Sequence, residues 1–226
     1  MPTARTKPPF RADHLGSLIR TPQLIAARDA WAAGTLPYAE LRKLEDACIA
    51  DAVAMQERVG IQSITDGELR RWSWRDGFFE SVDGYTNERF ESDFTFTEFS
   101  GERRKGMPVP RVVGKLKRRK TMTADDFADL LPIVPKGRTA KATLPSPSVT
   151  HFFRGDDMIK GSPYGSRAAY LDDVCAIYRE EVADLARLGC TYLQIDEVPC
   201  AVLCDPRNQA LVKDRGEDAD ALIDEY

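Results

Sequence analysis

Two stretches of the chain end in carboxylates in the same way. Residues 191–197 run from Thr191, Tyr192 and Leu193 through Gln194 and Ile195 into Asp196 and Glu197. Residues 61–68 run from Ile61 through Ile64 and Thr65 into Asp66, Gly67 and Glu68. Each is a β-favouring run that delivers acids to its own C-terminal end. In a parallel α/β protein, strand C-termini are where ligands are held, so these acids are functional candidates, Asp196 and Glu197 first. Glu197 can equally cap a helix or pair locally with an arginine. A third stretch, Phe10-Arg11-Ala12-Asp13-His14-Leu15-Gly16-Ser17-Leu18, reads as a short strand-like approach ending in Gly-Ser. A glycine there lets backbone come close to a ligand, and the serine hydroxyl with nearby amides can hold a carboxylate. His14 reads as a hydrogen-bonded structural histidine unless other ligands converge on it.

The elements that must position these residues follow a β/α rhythm. Thr21-Pro22 is a helix start, with a capping hydroxyl and proline at the first helical position, and Gly34 is a stop. A helix over residues 38–59 carries Leu41, Leu44, Cys48, Ile49, Ala52, Met55 and Val59 on one side, with Glu40, Arg42, Lys43, Glu45 and Glu57 mostly on the other. Gly60 ends it before the strand at 61–65. Residues 170–188 repeat the pattern, with Gly189 closing a helix before the strand at 191–195. A crossover helix between strands implies a parallel sheet. Residues 69–79 are aromatic and basic, either a wall against a flat or anionic ligand or an amphipathic helix packing its tryptophans. From Phe90 to Lys117 the period shortens: Phe94, Phe96 and Phe99 alternate in part, 101–106 is a polar turn, and 109–116 is strand-like. An inserted antiparallel hairpin over about 88–117 is expected, its second arm rejoining the core as a third strand. The run Lys115 to Lys120 reads as solvated surface, with an anionic substrate tail as the minor alternative. Residues 123–131 suit a helix, 139–144 a fourth strand entering the stiff loop Pro145-Ser146-Pro147-Ser148, and 216–226 the start of another helix.

Composition narrows the class. The 226 residues fit one large domain or two small ones, and 42% hydrophobic content is enough for a substantial core. A net charge of −4 among charges of both signs gives no field favouring nucleic acid or membrane. No apolar run approaches a membrane span and residues 1–9 lack a secretory segment, so a cytoplasmic location is the default expectation. Five cysteines scattered over helical and strand-like segments suggest reduced thiols. Cys200 and Cys204, with only His14 and His151 as histidines, do not make a closed zinc site.

The motifs Phe10 to Ser17, Thr65-Asp66-Gly67-Glu68, the Pro-Ser-Pro loop and Leu193-Gln194-Ile195-Asp196-Glu197 occur in the order found in the cobalamin-independent methionine synthase family. The chain resembles in particular its short, single-barrel members. The resemblance implies a (β/α)₈ TIM barrel, present here as about the first five β/α units of one domain spanning residues 1–226. It also implies methyl transfer from 5-methyltetrahydrofolate to a homocysteine thiol activated by zinc. By resemblance, Leu15, Gly16 and Ser17 would hold the homocysteine carboxylate, and Glu68 and Asp196 its ammonium group. Two carboxylates in a pocket repel and are costly to desolvate, and a ligand ammonium compensates both. Arg111 falls near a further amino-acid or folate contact, and Phe153 where an aromatic ring meets the pterin.

The departures shape the remaining expectations. The family's zinc ligands, a His and a Cys, then a Glu and another Cys, would lie beyond Tyr226, so no metal ligand is assigned in this chain and zinc is expected only of the complete enzyme. The chain reads as the amino-terminal part of a longer enzyme, with open barrel edges favouring self-association. Alternatives are a non-catalytic amino-acid-binding half-barrel or partner-completed module, an epoxide-opening thiol transferase, and a protein like uroporphyrinogen decarboxylase.

Overall fold

The computed structural model describes residues 7–226 except 11, 93, 98, 99 and 107. Arg11 and Phe99 of the patterns above therefore lie outside the described residues. Helix α1 (Pro22–Ala32) begins as its sequence predicts: Thr21 is extended, its hydroxyl accepts from the Leu24 amide at 3.2 Å, and Pro22 occupies the first turn. Helix α2 (Tyr38–Arg58) buries Leu41, Ile49, Ala52 and Val53. It also buries Glu45, which the sequence assigned to the outer side, because Arg28 of α1 meets it at 3.2 Å. There follow β1 (Ser63–Ile64), α3 (Asp76–Ser81), β2 (Val82–Tyr85), β3 (Thr95–Thr97), β4 (Arg103–Lys105) and β5 (Val112–Arg118). Then come α4 (Ala124–Leu130), β6 (Thr139–Ala140), β7 (Ala142–Pro145), α5 (Val149–Phe152), α6 (Arg167–Arg187) and β8 (Leu193–Asp196). The chain closes with α7 (Pro199–Val202), α8 (Pro206–Asp214) and α9 (Ala219–Glu225). No helix among the described residues is long and apolar enough to cross a membrane.

Strand pairing corrects the expected order. β1 pairs directly and in parallel with β6, Ser63 beside Thr139 and Ile64 beside Ala140, so no strand lies between them. β5, expected as the third parallel strand, pairs antiparallel with β2, Val82 beside Arg118 and Asp83 beside Lys117. Its own pattern explains this: Val112 and Leu116 are buried while Val113, Lys115 and Lys117 are exposed. Such alternation suits a sheet wet on one face, and a parallel strand covered on both faces would not tolerate it. Gly84 permits the pairing, since a Cβ there would come 2.8 Å from the Lys115 carbonyl oxygen. Lys115 and Lys117 of the basic run thereby lie on the exposed face of β5. Within it Arg118 turns inward to the enclosed Glu181. β3 and β4 form a second antiparallel pair, Thr95 beside Lys105.

The chain divides into two compact units. The first comprises the described residues up to Gly77 with Met122–Leu144 and Val182–Gln194. Its core is aliphatic, with Leu24, Leu41, Ile49, Val53, Ile64, Leu69 and Leu130 all nearly inaccessible. β1 and β6 lie here, and the Ala142 amide donates to the Tyr192 carbonyl at 3.0 Å. The second comprises Phe78–Thr121, Pro145–Glu181 and Ile195–Tyr226. Its core is aromatic: Phe78 stacks on Tyr178 at 5.4 Å, Phe94 on Phe152 at 4.4 Å, and the Tyr85 and Tyr170 hydroxyls meet at 2.9 Å. β7 runs parallel to β8, and in this unit the Ser146 amide donates to the Asp196 carbonyl at 3.0 Å.

Candidate functional site

In the first unit the segment 13–18 is not a strand, yet it is fixed by the parallel strands beside it. Three successive carbonyls are each taken by a side chain from a different strand segment. Lys141, at the junction of β6 and β7, donates to the His14 oxygen; Gln194 of β8 donates to the Leu15 oxygen at 2.9 Å; Thr65, just past β1, donates to the Gly16 oxygen at 2.7 Å. The Leu18 amide then donates to the Gly67 carbonyl at 2.9 Å. Among the described residues, the Gly16 and Ser17 amides have no acceptor in the protein. Gly16 is buried at φ +140°, whereas Leu15 is 75% exposed and Ser17 is exposed. A methyl on Gly16 would collide with Thr143 Cγ2 and stand 3.4 Å from Glu68 Oε1, so the position needs glycine for conformation and for space.

Glu68 closes this arrangement. It is 1% exposed and is the one non-glycine described residue with positive φ, at 54°. A left-handed glutamate is strained and persists only where its surroundings overdetermine it. They do so here. Asp66 Oδ1 accepts the Glu68 amide at 2.9 Å, Arg20 Nη2 donates to the Glu68 carbonyl at 3.1 Å, and the Arg71 amide reaches the same carbonyl at 3.1 Å. Arg28 and Arg20 both donate to the Arg71 carbonyl, at 2.6 and 2.7 Å. The carboxylate accepts from Thr143 Oγ1 at 2.8 Å through Oε1, with Arg71 Nη1 at 3.7 Å, and among the described residues Oε2 is enclosed without a partner. A buried carboxylate oxygen left this way is costly, and a ligand's N–H group would relieve the cost. Free amides beside an unsatisfied carboxylate are complementary to a zwitterion. Trp72, by contrast, is 46% exposed in the turn that follows, with Arg28 over its ring at 5.6 Å. Of the aromatic and basic stretch 69–79, residues 69–75 are not helical, whereas 76–79 enter helix α3, where Phe78 and Phe79 are buried.

The second unit holds the other predicted residues. Asp196 ends β8, half-buried. Glu197 takes the structural role foreseen for it: Oε1 accepts the Cys200 amide at 3.0 Å at the start of α7, and Oε2 accepts from Ser148 Oγ at 2.7 Å, with Ser146 Oγ 2.7 Å further on. The Pro-Ser-Pro loop is thus tied to the end of β8. Burial and the adjacent Glu197 push the Cys200 thiol up. Arg111 is half-buried, 5.1 Å over the Phe90 ring, with Arg154 at 5.1 Å from the same ring. Phe153 is 3% exposed, packed edge-on against Phe94 and Phe152 at 6.2 and 5.4 Å.

The structure therefore brings Leu15, Gly16, Ser17 and Glu68 together, and places Asp196, Arg111 and Phe153 in the second unit. Sequence reasoning missed the supports: Arg20, Arg28, Thr143, Lys141 and the side chain of Gln194. Lys141 carried a signal, a charge in the middle of an otherwise strand-like run. The arginines carried none, because only tertiary packing turns helix α1 toward the carbonyls of residues 68–71.

Known proteins share this chain's sequence and fold. A sequence profile described as "Cobalamin-independent synthase, Catalytic domain" matches residues 10–214. YxjH of Bacillus subtilis (strain 168), whose name states no activity, is 32% identical over 216 residues, covering 96% of this chain and 55% of that protein. A 5-methyltetrahydropteroyltriglutamate–homocysteine methyltransferase of Mesorhizobium japonicum is 28% identical over 193 residues, 84% of this chain and 23% of its own length. A solved Listeria monocytogenes structure, provisionally assigned as a vitamin-B12-independent methionine synthase, matches with TM-score 0.68 and 31% identity over 88% of this chain and 55% of that one. The chain spans about half the length of YxjH and of the Listeria protein. With the profile covering nearly all of its described residues, the chain belongs to the family of cobalamin-independent synthase catalytic domains.

Proposed function

We propose that this chain supplies the amino-acid pocket of a methyltransferase that acts on homocysteine with 5-methyltetrahydrofolate as donor. The carrying observation is Glu68: enclosed, held in a left-handed turn, and with Oε2 unpartnered among the described residues beside a glycine whose neighbouring amide groups lack acceptors. An α-ammonium group satisfies the carboxylate, and the Gly16 and Ser17 amides with the Ser17 hydroxyl receive an α-carboxylate. Asp196, in the second unit, is kept as a substrate contact on the family resemblance alone. For the folate donor, Arg111 offers a half-buried guanidinium, and Phe153 would have to expose a face now packed on Phe94 and Phe152. The same reading makes the parallel strands part of a TIM barrel, with residues 88–117 as an inserted hairpin.

Zinc is the metal expected of this activity. Among the described residues, the ligand atoms of His151, Asp156 and Glu217 lie within 4.8 Å of one another. That group has no thiol. Arg167 Nη1 already lies 2.6 Å from Glu217 Oε1, and both His151 ring nitrogens are engaged, with Tyr226 at 2.7 Å and Asp156 at 3.1 Å. These residues do not fit a thiol-activating zinc.

Calorimetric titration of the protein with L-homocysteine tests the reading. Binding should need no added zinc and should weaken about thirtyfold in Glu68→Gln, which keeps the size and removes the charge. Equal affinity of the two proteins would overturn it.

A further inference from the structure

We infer that Lys141 and Gln194 are positioning residues that set the affinity of the 15–17 loop for a carboxylate; this rests on the amino-acid pocket proposed above. Backbone near a bound anion is favourable only where its N–H groups face the anion and its carbonyls are occupied elsewhere. Here the occupation is explicit, since the oxygens of His14, Leu15 and Gly16 are engaged in turn by Lys141, Gln194 and Thr65. Lys141 is the least expected of the three. Its side chain is 0% exposed, and its ammonium lies 3.0 Å from Asp13 Oδ2 and over the Tyr192 ring at 5.0 Å. Asp13 in turn accepts from Ser63 and Tyr192. An apolar side chain of similar length would serve packing at least as well as an enclosed ammonium, which must offset its own desolvation against the more exposed Asp13. What methionine cannot do is hold the His14 carbonyl and Asp13 together at one point. Gln194 makes the equivalent bond one residue on from a partly exposed strand, so its loss leaves the core intact.

The test compares two ligands, L-homocysteine and L-homocysteinamide, which have nearly the same size and differ in the negative charge that the loop would receive. For the unaltered protein the ratio of their affinities measures carboxylate recognition. In Gln194→Leu and Lys141→Met that ratio should fall about tenfold, with homocysteinamide binding nearly unchanged, and Lys141→Arg should recover part of it. Glu68→Gln should instead weaken both ligands alike. If the unaltered protein binds neither ligand, the pocket reading itself fails and this inference with it. If the unaltered protein prefers homocysteine and the two variants keep its ratio, the positioning role alone is overturned. Should Lys141→Met not fold, Gln194→Leu decides between these outcomes.

Discussion

Lys141 in the first unit and His151 in the second are both enclosed nitrogen bases with a carboxylate on one side and a tyrosine on the other. Asp13 and Tyr192 flank the lysine, and Asp156 and Tyr226 flank the histidine. The first is built as an ion pair. Burial pushes the Asp13 carboxyl up, but hydrogen bonds from Ser63, Tyr192, Lys141 and the His14 amide outweigh it and bring Asp13 down to about 2. The second is built as a neutral chain, because burial brings His151 down to about 4 against the opposing pull of Asp156. Similar residue types thus meet opposite requirements, and enclosure alone does not decide between them. The lysine's partner is the more tightly bonded acid, with four hydrogen-bond donors, whereas Asp156 has a largely exposed side chain.

The comparison breaks most sharply at Asp13. Asp13→Ala leaves the Lys141 ammonium enclosed without its carboxylate and should cost about 4 kcal/mol of unfolding free energy in urea titration. A cost below about 1 kcal/mol would mean that the pair contributes little. The next effect is acid sensitivity of the second unit. Between the ordinary histidine value of 6.5 and the folded value of about 4, the unfolded chain takes up a proton that folded His151 does not. Stability should therefore fall with acidification through that window, by up to about 3 kcal/mol. The contribution of Asp13 is present above 3.8 and lost only as pH falls toward about 2. Hydrogen exchange should then show amides around Phe152 and Tyr226 loosening at milder acid than those around Thr65 and Lys141, and His151→Gln should flatten the difference. Loosening of both regions together would contradict it. Tyr226→Phe, which leaves His151 Nδ1 without its hydroxyl, should cost about 1.5 kcal/mol in the same denaturation assay, and no loss would make that bond incidental. Smallest is Glu197→Ala, which removes the cap of a short, partly exposed helix and should lower stability by about 1 kcal/mol.

Local chemistry made much of the fold legible. Thr21-Pro22 gave the start of α1 because capping is decided within four residues, and the period of residues 38–59 and 170–188 gave α2 and most of α6. Pairing was not legible. Residues 109–116 were read as strand, but which neighbour β5 takes depends on Gly84 and the chain around it, which no local pattern reveals. Helices α5 and α8 were missed because the first is four residues long and the second is short and largely polar. At the site, Gly16 and Glu68 stood out by motif. The strain in Glu68 and the arginines that hold its turn became visible only once α1 was packed against residues 68–71.

The three bonds to the 14–16 carbonyls have a consequence for folding fidelity. In a strand, a slip of one residue turns every side chain to the opposite face. If any of the three parallel segments were misregistered, Thr65, Lys141 or Gln194 would be withdrawn from the loop, and the aliphatic core could still close around similar neighbours. Such a chain would pass a test of compactness and fail a test of recognition. In the proposed pocket, ligand binding would thus act as a proofreader of strand register, sensitive to an error that a melting temperature alone would understate.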